Sequence, residues 1–121
     1  MIPSQGLFSG GQQLARTFGF PTANILCLLD IPDGVYSALT ELSLNSGICY
    51  QSMAYLKGGL LEVHLIGEDM DLYDRLLYVK LIRFIRSPVP YISSGVMKAQ
   101  IQKDLGHVKA SFTVFESYVN P

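Results

Sequence analysis

Glycine, proline and short polar clusters break the first ninety residues so often that each intervening segment is strand length, too short for an ordinary globular helix. Asp30-Ile31-Pro32-Asp33-Gly34 marks one turn and Lys57-Gly58-Gly59 another, while Ser43-Leu44-Asn45-Ser46-Gly47 suits a hairpin between Val35–Leu42 and Ile48–Leu56. Further strands are expected around Gly6–Ser9, Asn24–Leu28, Leu60–Ile66 and Leu76–Arg86. In Leu60–Ile66 the alternation places Leu61, Val63 and Leu65 on one face and Glu62 and His64 on the other. After Pro88 and Pro90 the period becomes helical: Met97, Ile101, Leu105 and Val108 share one side, with Ser93 or Ser94 as cap. Gly106 is a point of interruption, beyond which 107–119 continue as a second short helix or an irregular tail. The pattern predicts an all-β fold with a terminal helix: one domain over 1–121, a small Greek-key barrel over about 5–90 and a helical segment over about 94–119.

Composition removes several function classes. The chain of 121 residues is 49% hydrophobic and 16% charged with net charge −1, and it has no basic tract, so a sequence-independent grip on nucleic acid is not expected. No apolar run approaches the roughly 20 residues a membrane helix needs. Cys27 and Cys49 lack CxxC spacing and histidine neighbours; both read as buried small hydrophobes in a reducing compartment. Met1-Ile2-Pro3-Ser4 has neither a basic n-region nor an apolar h-region, so a cytoplasmic protein, monomeric, is expected.

The chemistry concentrates between Gly6 and Ile25. Gly10-Gly11 permits close backbone approach to a ligand, and Arg16 adds a permanent cation. Pro21 drives Phe20 into extended geometry, so that Thr22 and Asn24, two apart, leave a strand on the same side. A hydroxyl and an amide carbonyl are hard neutral oxygens, the donors Mg²⁺ accepts when phosphates supply the remaining ligands. With no GxxxxGK[ST] and no GxGxxG after a strand, neither a P-loop nor a Rossmann site is expected. His64 lacks partners for a nucleophile or metal constellation and reads as structural. Glu68-Asp69-Met70-Asp71 lacks the EF-hand spacing and reads as a solvated turn.

Gly19-Phe20-Pro21-Thr22-Ala23-Asn24 resembles the signature of the riboflavin kinase (flavokinase) family, and further matches follow in order. Gly34-Val35-Tyr36 resembles its GVY, Glu62-Val63-His64-Leu65 its EVHL, Leu72-Tyr73 with Arg75 its LYGR, and Gln100-Ile101 with Asp104 the QI..D of its terminal helix. The resemblance implies a six-stranded closed barrel that transfers the γ-phosphate of ATP to the 5′-hydroxyl of riboflavin, giving FMN and ADP, with Mg²⁺ or another divalent ion. Carried over by position, Thr22 and Asn24 hold the ion. Gly11, Arg16, Gly19, Phe20, Pro21 and Thr22 belong to the nucleotide site. Glu62 acts on the ribityl hydroxyl, and Glu62 and Arg86 face the flavin. Three departures stand out: the glycine-rich flap reads Gln13-Leu14-Ala15 where the family carries glycines and an arginine, the family's G.RPTF segment is missing before Leu60, and LYGR reads Leu72-Tyr73-Asp74-Arg75. They motivate the alternative of a non-catalytic flavin- or nucleotide-binding module on the same barrel.

Overall fold

The computed structural model describes residues 2–7, 23–27, 29–43, 47–68 and 76–119. Six strands form one antiparallel sheet: β1 (Ile2–Leu7), β2 (Ala23–Leu26), β3 (Gly34–Glu41), β4 (Tyr50–Lys57), β5 (Leu60–Leu65) and β6 (Leu76–Arg86). A single helix, α1 (Ser94–Val119), follows. The order across the sheet is β1-β6-β3-β4-β5-β2, so β6 crosses over to pair with both β1 and β3. Pro3, which cannot donate a ladder hydrogen bond, sits in β1 at the edge, where that loss is tolerated.

Two register shifts between β3 and β6 make the sheet curl. Val35 pairs with Arg86 but Tyr36 with Phe84, and Ser37 pairs with Arg83 but Ala38 with Leu81, leaving Ile85 and Ile82 as extra residues on β6. Such bulges bend a strand and raise its twist. The edge strands β1 and β2 thereby approach to within 8 Å between Cα atoms. Hydrogen bonds do not close the sheet among the described residues, so the architecture is a strongly curled six-stranded sheet with one terminal helix.

The concave side holds the core, where Ile25, Tyr36, Ala38, Ala54, Leu56, Leu61, Val63, Leu65, Leu77, Val79 and Leu81 are buried. The other side of β3, β4 and β6 receives α1 through Val35 and Met53 packed with Ile101, Val108 and Phe112. Leu61, Val63 and Leu65 thus share the core face, as their alternation requires.

Three local expectations are corrected. The first strand begins at Ile2, earlier than the expected Gly6, and is described to Leu7, the rest of the expected Gly6–Ser9 lying outside the described residues. Cys49 is exposed, because pairing with β3 begins only at Tyr50 opposite Thr40; its thiol donates to Glu41 Oε1 at 3.5 Å, and partial desolvation together with this hydrogen bond raises its pKa. Gly106 does not interrupt α1, which continues to Val119. A helical glycine costs about 1 kcal/mol relative to alanine, less than burial of Val108 and Phe112 on the following turns returns. Ser93 provides the cap, its side-chain Oγ accepting from Val96 N–H at 3.2 Å and its carbonyl from Met97 N–H at 2.9 Å.

Gly34 is required where β3 begins. Its φ is +147°, and a Cβ placed there would lie 2.1 Å from the Arg86 carbonyl oxygen, inside the β3–β6 pairing. The β4–β5 connection is equally constrained. Gly58 and Gly59 have φ of +59° and +82° between the paired residues Lys57 and Leu60, the signature of a two-residue type I′ turn. No further segment fits between these strands, which is the structural counterpart of the missing G.RPTF stretch.

Candidate active site

The sheet's register assembles a row of side chains that the sequence disperses. Asn24 on β2 lies opposite Glu62 on β5, Glu62 opposite Tyr55 on β4, Tyr55 opposite Val35 on β3, and Val35 opposite Arg86 on β6. Directly opposed residues in antiparallel strands point to the same face, with Cβ atoms about 5 Å apart. Five residues from five strands therefore line up across the convex side. At about 4.8 Å per strand, Glu62 and Arg86 are about 14 Å apart along the row.

A cavity of about 320 Å³ opens over this row, bounded by the sheet, the segment 87–93 and the first turns of α1. Its wall is mainly apolar, with Val35, Met53, Leu60, Met97 and Ile101; Glu62 and His64 stand at one side and Arg86 with Asp104 at the other. The size and the few convergent polar groups suit a single small aromatic ligand.

Asn24 is fully buried and Glu62 half-buried. His64, two residues along β5 on the same face, is buried and lines the cavity beside Glu62. Arg86 is committed. Its Nε and one terminal nitrogen donate to the two oxygens of the buried Asp104 at 2.7 and 2.5 Å, and its other terminal nitrogen donates to the Ser87 carbonyl at 2.9 Å. Gln100 Nε2 also donates to Asp104 Oδ1 at 2.9 Å. This bidentate pair fixes the guanidinium plane and ties the end of β6, from which segment 87–93 departs, to α1. Lys57, at the hairpin, is exposed and makes no ion pair among the described residues.

Tyr55, in the middle of the row, is the residue that reading the sequence missed. Burial raises its phenol pKa; Arg86 opposes that shift, while Asp33, Glu62 and Asp104 add to it. The group therefore stays an O–H donor at neutral pH. The strand alternation of β4 signals which face Tyr55 occupies, but only its register against β5 reveals that it neighbours Glu62.

Of the residues singled out in the sequence, Asn24 and Glu62 are brought directly together, and Arg86 stands in the same row three strands away. Gly11, Arg16, Gly19, Phe20, Pro21 and Thr22 lie outside the described residues. Among the described residues no cluster of three or more His, Cys, Asp or Glu side chains could hold a metal. Of the two positions expected to hold an ion, Asn24 lies directly opposite Glu62, and Thr22 lies outside the described residues.

The family model for riboflavin kinase matches residues 2–112. The chain belongs to the riboflavin kinase family. It is 35% identical over 114 residues to the bifunctional riboflavin kinase/FMN adenylyltransferase of Buchnera aphidicola subsp. Schizaphis graminum, covering 86% of this chain and 36% of that one. To the bifunctional riboflavin kinase/FMN adenylyltransferase of Escherichia coli K12 it is 37% identical over 103 residues, covering 78% and 33%. The chain thus spans about a third of the length of these relatives. A solved structure described as a macrolide-efflux protein from Streptococcus pneumoniae superposes with a TM-score of 0.75 at 26% identity, over 88% of this chain and 38% of that one. For this riboflavin kinase family member, the residues matching the family's EVHL and GFPTAN motifs that the structure describes are those at the Glu62 end of the row.

Proposed function

We propose that this chain phosphorylates riboflavin, moving the γ-phosphate of ATP to the 5′-hydroxyl and releasing FMN and ADP. The observation that carries this reading is the register pair Asn24–Glu62 at one side of an apolar cavity of about 320 Å³, in a member of the riboflavin kinase family. Riboflavin lies with its 5′-hydroxyl at Glu62 and its ring toward Arg86 and α1, the row being about as long as the extended molecule.

Glu62 accepts the hydroxyl proton as O5′ bonds to the γ-phosphorus and the bond from that phosphorus to the β,γ-bridging oxygen breaks. The apolar wall from Val35, Met53 and Ile101 excludes water that would otherwise compete for the phosphoryl group. Arg86, its direction fixed by Asp104, presents a positive edge to the ring's carbonyl side. Thr22 and Asn24 would hold a divalent cation such as Mg²⁺, whose chemistry when bound is to offset charge on the phosphate oxygens. Gly11, Arg16, Gly19, Phe20 and Pro21 complete the nucleotide side in this reading.

The curled sheet is taken as a six-stranded Greek-key barrel with its seam between β1 and β2, and 1–121 as one such unit acting as a cytoplasmic monomer without nucleic acid. No helix among the described residues is long and apolar enough to cross a membrane.

Incubating the purified chain with riboflavin, ATP and Mg²⁺ and separating flavins by chromatography tests the reading. FMN is expected to appear in step with ADP. Quenching of riboflavin fluorescence on binding without FMN under Mg²⁺, Mn²⁺ or Zn²⁺ would instead favour the binding module that Gln13, Leu14 and Ala15 in the flap suggest.

A further inference from the structure

The row gives Tyr55 a place that the reaction alone does not require. It stands one strand from Glu62 and two from Arg86, so its side chain lies abreast of the segment joining the reacting hydroxyl to the ring. One strand spacing is about 4.8 Å, less than the length of a five-carbon polyol chain. The Tyr55 ring lines the cavity and its hydroxyl makes no hydrogen bond among the described residues. Half-buried phenols ordinarily find a partner, and one turned into a ligand cavity without a protein partner is placed for the ligand.

We propose that Tyr55 is a specificity-determining residue that reads the ribityl chain, its phenol O–H donating to a secondary hydroxyl of the polyol. The inference rests on the riboflavin kinase reading and adds a selectivity for flavins that carry a polyol tail. Raised by burial, the phenol remains a donor across the neutral range. The same hydrogen bond holds the tail extended and delivers its terminal hydroxyl to the carboxylate.

The test compares riboflavin with lumiflavin, which has a methyl group in place of the ribityl chain, by fluorescence titration of the whole chain and of Tyr55→Phe. Phenylalanine keeps the ring and removes only the donor. Riboflavin affinity should fall roughly three- to tenfold in the variant while lumiflavin affinity changes less than about twofold, since one neutral hydrogen bond is at stake. Unchanged lumiflavin binding also shows that the variant is folded. Equal losses for both flavins would make Tyr55 a packing surface for the ring and overturn the proposal, as would no loss for either. If the unaltered chain binds riboflavin and forms FMN but Tyr55→Phe is silent, only this inference fails. If the unaltered chain binds no riboflavin, the kinase reading fails with it.

Discussion

Replacing Glu62 by glutamine should lower kcat for FMN formation by about 10²- to 10³-fold while shifting the KM for riboflavin less than about threefold. Glutamine keeps the shape of the side chain and its place between Asn24 and Tyr55, but it cannot accept the hydroxyl proton. General-base contributions usually span about 10² to 10⁴, and a loose phosphoryl transition state puts this case toward the lower part of that range. Because the change acts on the transition state, kcat and kcat/KM should fall together. A fall of less than about tenfold would mean that Glu62 orients the hydroxyl without taking its proton.

Removing the anchor of Arg86 should produce the largest loss of stability. Asp104→Leu leaves a guanidinium with 18% exposed side-chain surface facing a buried apolar group, and Gln100 loses its acceptor as well. Breaking a buried pair from one side typically costs about 3–5 kcal/mol, and the partial exposure of Arg86 puts the expected loss near 3 kcal/mol by urea unfolding. The double variant Arg86→Met with Asp104→Leu should recover more than half of that loss, because no charge is then stranded. Recovery of stability without recovery of riboflavin affinity would separate the two tasks of the pair, holding α1 on the sheet and presenting the guanidinium to the cavity. No recovery in the double variant would show that the loss came from packing and not from the unpaired charge.

The elements were legible because their signals are local. Turn residues at 30–34, 43–47 and 57–59 and the alternation through Leu60–Leu65 depend on neighbours in the chain, and the strands there fall within a few residues of expectation. What misled was equally local. The first strand was expected around Gly6 and already begins at Ile2, where Pro3 is accommodated on the edge strand β1. Gly106 looked like a break and is overridden by Val108 and Phe112, whose burial depends on a sheet face far away in sequence.

The site was only half legible. Asn24 and Glu62 were singled out through motifs, but their juxtaposition is a consequence of β2 pairing with β5, which no local pattern specifies. The row from Asn24 to Arg86 draws on positions 24, 62, 55, 35 and 86 in that spatial order, and its length is set by strand spacing. Tyr55 carries no motif, so register alone identifies it. Asp104 matched a motif without a role; its role as the clamp on Arg86 emerges from the packing of α1 against β6.

The most direct test is a crystal structure of the chain with riboflavin and ADP, in which the distance from the ribityl 5′-oxygen to the nearer Glu62 carboxylate oxygen is measured. A hydrogen-bonding distance of about 2.6–3.2 Å, with the flavin ring between Arg86 and α1, is the expected result. A flavin bound outside the cavity, or seated in it with its 5′-hydroxyl turned away from Glu62, would contradict the assignment of this row to phosphoryl transfer.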